Sequence, residues 1–162
     1  MSALLQVADL VKRFEQGGGL FRPGRRVHAV NGVSFTVGER ETLGLVGESG
    51  SGKTTVGRSI LRLVEPDAGS VIFDDVDVRA ADRRALKALR RQMQIVFQDP
   101  YGSLDPLLRI GDSVAEGIEI HRLLPKHEIE ARVAELLAEV GLDADAATRY
   151  PHEFSGGQRQ RI

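Results

Sequence analysis

Eight consecutive residues, Gly47-Glu48-Ser49-Gly50-Ser51-Gly52-Lys53-Thr54, carry the clearest chemistry in this chain. Their pattern, G-x-x-x-x-G-K-[ST], suits a loop that holds phosphate. The glycines let successive backbone N–H groups turn inward around an anion, and a helix that starts behind the loop adds the positive end of its dipole to the same place. Lys53 then brings a point charge to the β and γ phosphates. The Thr54 hydroxyl is a hard oxygen ligand of the kind Mg²⁺ takes, with phosphate oxygens and water as the remaining ligands, and Thr55 can donate to an α phosphate. A glycine-rich turn with no ligand is the competing reading. The flanks favour phosphate: Leu43, Leu45 and Val46 predict a strand over 41–46, and Val56, Ile60, Leu63 and Val64 recur at helical spacing behind the loop.

A second group lies at Ser155-Gly156-Gly157-Gln158. By itself it is a capping box, with Ser155 as N-cap and Gln158 three residues on. Two glycines at the first two helical positions lower helix propensity, however, and leave bare backbone that an anion could approach closely. Gln98 follows the apolar run Ile95-Val96-Phe97 at a predicted strand end. Alone, it carries no meaning.

The elements that position these groups follow from periodicity. Leu4 to Leu10 predicts a first strand; Val33, Phe35 and Val37, alternating with Ser34 and Thr36, predict a half-buried second. The connection from Gln16 to Arg26 is rich in Gly and Arg and reads as a solvated hairpin insertion in preference to a phospholipid or partner contact. The helix behind the phosphate loop is expected to stop near Glu65, because Pro66 restricts the residue before it and lacks a donor. Ser70 to Phe73 predicts a further strand, and Ala85, Leu86 and Leu89 a short basic helix. From Asp99 the character becomes helical: Val114 and Ile118 share one helix face, and Ile129, Val133, Leu136, Leu137 and Val140 another. Gly141 suits the left-handed end of that second helix.

Composition narrows the classes further. The chain has 162 residues, 41% of them hydrophobic, with 22 basic against 23 acidic residues and no cysteine. That length and content can fill a core. The near-neutral balance gives no argument for nucleic acid or an anionic membrane, and the basic stretch Arg83 to Arg91 reads as a solvated helix face. Disulfide frameworks and thiolate metal sites are excluded. No run reaches the length of a membrane span, and the first twenty residues lack the apolar core of a signal peptide. The four histidines, 28, 121, 127 and 152, have no metal-ligand spacing and read as surface or loop residues.

The phosphate loop, a Gln after an apolar strand, a helical insertion and Ser155 to Gln158, in that order, resemble the ATP-binding subunit of ABC transporters. Within that family the stretches Leu45 to Lys53, Val96-Phe-Gln-Asp-Pro100 and Tyr150 to Arg161 are most similar to the oligopeptide and dipeptide importer branch. The resemblance implies an α/β fold: a P-loop NTPase core with an N-terminal β-subdomain and a helical subdomain. It divides the chain into 1–98 (β-subdomain, phosphate loop and Gln98), 99–154 (helical subdomain) and 155–162 (signature motif and start of its helix). It implies ATP and Mg²⁺ as cofactors, with Lys53, Gln98 and Ser155 in catalytic roles and Thr54 and Gln98 at the metal. Phe14 matches the aromatic on which adenine stacks, with a core phenylalanine ending the first strand as the equal alternative. Ser155, Gly156, Gly157 and Gln158 match the signature that contacts the γ phosphate held by a second subunit.

The implied partners are that second ATP-binding subunit, identical or not, and transmembrane permease subunits, with no nucleic acid. The implied location is peripheral, at the cytoplasmic face of the bacterial plasma membrane. The family's sequence continues, after the signature helix, with an apolar strand bearing a magnesium-coordinating Asp and a water-polarising Glu, and later a His. None of these is found up to Ile162, so the chain is expected to be truncated before that strand, to leave the apolar flank of the phosphate-loop strand exposed, and to lack hydrolysis by itself. The competing readings are a soluble ABC protein of DNA repair or translation, a small nucleotide kinase or GTPase, and a non-catalytic ATP-binding remnant.

Overall fold

A computed structural model describes residues 3–17, 25–97 and 102–162. They fall into two compact units, Met1–Ile95 and Val96–Ile162.

The first unit is built on strands β1 (Ala3–Gln16) and β2 (Arg25–Gly38), joined as an antiparallel pair. Helix α1 (Lys53–Ile60) follows, then β3 (Ala68–Phe73), the two-residue β4 (Val76–Asp77) and helix α2 (Arg83–Leu89). The sheet order is β2-β1-β3-β4, antiparallel throughout. Val7, Leu10, Val30, Val56, Val71, Val78 and Leu89 close a core between the sheet and the two helices. Both long strands exceed the expected ranges, reaching Gln16 and starting at Arg25. Residues 18–24 of the expected insertion lie outside the described residues.

Two expected strands do not form. Residues 41–46 are irregular, with Val46 94% exposed, and so are 95–97, with Val96 93% exposed. A strand exists only through its ladder, and none of the four described strands pairs with either segment. Leu43, Leu45 and Val46 are exposed there, without the strand to which that flank was assigned. Helix α1 is also shorter than its periodicity predicts. It closes in a Schellman turn, with Arg62 N–H donating to the Ser59 carbonyl and Leu63 N–H to the Arg58 carbonyl. Arg62 takes the left-handed position at φ 50°, where its guanidinium donates to the Val78 and Ala81 carbonyls and pairs with Glu65. Those long-range acceptors hold an arginine where glycine is usual.

The second unit contains α3 (Ile110–His121), α4 (Lys126–Glu139) and two short 3₁₀ turns, Ala144–Thr148 and Pro151–Glu153. The four-residue α5 (Gly156–Arg159) ends it. Ile110, Ile118, Ile129, Val133, Leu137, Leu142, Ala146 and Phe154 form its core. As expected, Gly141 ends α4 at φ 70°: its N–H donates to the Ala138 carbonyl and that of Leu142 to the Leu137 carbonyl, which brings the buried side chains of Leu137 and Leu142 into one cluster.

Candidate nucleotide-binding site

The phosphate loop rests on a bulge in β2. The pairing of β1 with β2 passes from Lys12 opposite Val30 to Arg13 opposite His28, so Ala29 is the extra residue. Gly52 abuts that point: a Cβ placed on it would collide with the Ala29 carbonyl oxygen. Its φ of 93° also favours glycine. Position 52 is thus restricted twice, by backbone conformation and by close approach. From Gly52 the chain turns directly into α1, with Val56 N–H donating to the Gly52 carbonyl at 2.9 Å and Val56 buried in the core. No side chain caps this N-terminus.

Lys53, the first residue of α1, folds back over the loop. Its Nζ donates to the carbonyls of Gly47 and Glu48, both at 2.7 Å, and to Ser51 Oγ at 3.3 Å. The ammonium is therefore held at the mouth of the loop by groups that phosphate oxygens can replace. Glu48, Ser49, Gly50 and Thr54 are exposed, and Thr55 is half-buried. An open groove of about 390 Å³, lined by apolar residues including Leu5, Ile60, Phe73 and Met93, includes no residue of 47–54. Its walls suit packing and not a triphosphate.

Phe14 is not a core residue. It is 42% exposed on β1, opposite Val27, which lies two residues along β2 from the bulge that supports Gly52. At strand and inter-strand spacings this is roughly 8 Å from the Ala29 bulge on which Gly52 rests. Sequence reasoning missed two contributors here, the Ala29 bulge and Lys12, whose Nζ lies over the Phe14 ring at 5.3 Å from its centroid. The i, i+2 spacing of Lys12 and Phe14 in a strand was the available signal for the second; nothing local marks the bulge.

In the second unit the capping box closes as its residues predict. Ser155 Oγ accepts the Gln158 N–H at 3.3 Å, and Gln158 Oε1 accepts the Ser155 N–H at 2.9 Å. Phe154 is buried immediately before it, and Arg161 Nη1 donates to the carbonyls of Val140 and Gly141 at the end of α4. The box leaves the Ser155 hydroxyl proton available, since a hydroxyl can accept and donate at once. Elsewhere in this unit, the Arg109 guanidinium lies over the Tyr150 ring at 5.8 Å from its centroid, and the hydrogen bond to Tyr150 raises the Arg109 pKa. Gln98 lies outside the described residues. Of the histidines, 28, 127 and 152 are exposed and His121 is half-buried at the end of α3. Among the described residues, no three His, Asp or Glu side chains cluster as a metal site.

The phosphate loop thus leads into an uncapped helix packed against the core sheet, an arrangement suited to an anion. The chain belongs to the ABC transporter family, whose sequence profile matches residues 30–162. Over 160 residues, 98% of the chain, it is 56% identical to the glutathione import ATP-binding protein GsiA of an Escherichia coli strain and 55% identical to that of Shigella flexneri. It spans 26% of the length of those relatives. Among solved structures it is similar to the dimeric ATP-binding cassette MJ0796 in a post-hydrolysis state bound to ADP and Pi, with a TM-score of 0.79, 28% identity, and coverage of 97% of this chain and 66% of that one. A cbiO1 protein from Clostridium perfringens, described as part of an ABC transporter complex, matches with a TM-score of 0.70 and 25% identity, covering 99% of this chain and 59% of that one. The α/β fold inferred from the motifs is thus that of ABC ATPase cassettes, a family that binds ATP.

Proposed function

We propose that the chain is the nucleotide-holding part of an ATP-binding subunit of an ABC importer, which couples ATP binding and hydrolysis to uptake of a peptide or similar small solute. The observation that carries this reading is the placement of Lys53 over the loop 47–54 at the uncapped start of α1. A triphosphate entering the loop exchanges the Gly47 and Glu48 carbonyls around Nζ for its β and γ oxygens, while the helix dipole and the loop N–H groups hold the charge. Thr54, exposed and second in α1, is the protein's oxygen ligand for Mg²⁺, and its hydroxyl fits that ion's preference for hard donors. Mg²⁺ supplies neutralisation of phosphate charge. Gln98 is assigned to the metal and attacking water by family resemblance, and Phe14 to the adenine ring.

In this reading residues 1–98 hold the nucleotide, 99–154 form the helical subdomain, and 155–162 present the signature to a partner. Ser155 retains its hydroxyl proton for the γ phosphate of a second ATP-binding subunit, with the Gly156 and Gly157 backbone beside it. Permease subunits complete the assembly at the cytoplasmic face of the bacterial membrane. The similarity to glutathione import ATP-binding proteins favours an importer over DNA repair or translation. We further infer that residues 1–162 alone bind ATP without turning it over. Hydrolysis needs a group to polarise the attacking water, and the loop's one carboxylate, Glu48, has no such role in the family.

Titration of ATP into the chain and into Lys53→Ala, with phosphate release followed in parallel, tests both statements. The expected outcome is a loss of ATP affinity of tenfold or more in the variant, and no Lys53-dependent phosphate release from either protein. Equal affinities would reduce residues 47–54 to a turn, and Lys53-dependent turnover of about one per second, ordinary for an enzyme, would refute the second statement.

A further inference from the structure

We propose that Lys12 and Asp67 form a positioning pair for Phe14, filling one face of its ring from within the protein and presenting the opposite face to the purine of a bound nucleotide. The proposal rests on the reading of Phe14 given above and adds the residues that orient it.

The Lys12 ammonium is committed in three directions. It lies over the Phe14 ring at 5.3 Å from the centroid, donates to the Glu65 carbonyl at 2.7 Å, and reaches Asp67 Oδ1 at 3.5 Å. Its side chain is 15% exposed, whereas Phe14 is 42% exposed. Asp67 is itself anchored along β1: its Oδ2 accepts the Arg13 N–H at 2.5 Å and its N–H donates to the Val11 carbonyl at 2.8 Å. The carboxylate that holds Lys12 is therefore tied to the same strand that carries Phe14.

Two physical effects follow. A cation against one face draws electron density from the ring, which makes the other face a better partner for the electron-rich face of adenine. A ring already held by its neighbours also loses less freedom when the base stacks on it. A purely structural pair, fastening the 65–67 corner to β1, would give neither effect. It would influence every ligand of the loop alike.

That difference decides the test. ATP and inorganic triphosphate are each titrated into the full chain and into Phe14→Ala, Lys12→Met, Lys12→Arg and Asp67→Asn. Lys12→Met keeps an unbranched apolar stem without the charge; it is expected to lower ATP affinity about two- to fivefold, the span of an exposed cation–π contact, and to leave triphosphate affinity unchanged. Lys12→Arg retains ATP binding, because a guanidinium stacks on an aromatic face. Asp67→Asn shows a smaller loss confined to ATP, and it carries the comparison should Lys12→Met not fold. Equal losses for ATP and triphosphate in Lys12→Met, or no loss of ATP there while Phe14→Ala does lose it, would overturn the positioning role. A Phe14→Ala protein with an unchanged preference for ATP over triphosphate would overturn the underlying reading of Phe14, and a wild-type chain that binds neither ligand would overturn that of the phosphate loop.

Discussion

Two helix N-termini, each preceded or formed by glycine, meet their backbone donors in opposite ways. At α1 no side chain caps the helix, and the nearest cation, Lys53, turns back onto the loop's own carbonyls. At α5 the Ser155 and Gln158 box is closed, the preceding Phe154 is buried, and Arg161 ties the turn to the end of α4. The first arrangement is one that an anion improves. The second is complete without one. An open terminus suits a ligand that the same chain must hold, whereas a closed box gives a rigid surface that can be offered to another molecule. The difference teaches that glycine-rich helix starts of similar appearance can leave their donors in opposite states, and that capping tells them apart.

The largest effect that could break this comparison is expected at Gly52. A Gly52→Ala chain must accommodate a methyl where the Ala29 carbonyl lies and hold alanine at φ 93°. The conformation alone costs about 1–2 kcal/mol, and the contact with backbone adds to it. Both a lower melting temperature and loss of ATP binding are therefore expected, as measured by thermal unfolding and nucleotide titration. Unchanged stability would show that the loop does not depend on the β2 bulge.

The smallest effect concerns the corner that holds Lys12. The Arg13 N–H lowers the Asp67 pKa most; desolvation opposes it, and the Lys12 charge adds to the lowering. A carboxyl whose folded value lies below its unfolded one, near 3.8, contributes stability that is present above that pH and is lost as pH falls through the folded value. Denaturant unfolding between about pH 5 and pH 2 should therefore show the advantage of wild type over Asp67→Asn shrinking below pH 3.8. A constant difference across that range would mean that the anchoring does not require the charge.

Much of each site was legible because its determinants are local. The G-x-x-x-x-G-K-[ST] spacing, the Ser155 and Gln158 box and the left-handed end at Gly141 are each written within a few residues. What was not legible depends on distant neighbours. The apolar run 41–46 reads as a strand, but strand formation belongs to a pair of segments, and no described strand pairs with it. The end of α1 at Arg62 depends on the carbonyls of Val78 and Ala81, far along the chain, so periodicity alone extends the helix to Glu65. Phe14 was evenly balanced between core and ligand until its exposure placed it at the surface.

The most direct test of the division between an open and a closed terminus is ATP affinity measured side by side in wild type, Lys53→Ala and Ser155→Arg. The account predicts that Lys53→Ala loses tenfold or more, and that Ser155→Arg stays within about twofold of wild type, since the closed box takes no part in holding nucleotide in the same chain. A loss in Ser155→Arg as large as that in Lys53→Ala would contradict it.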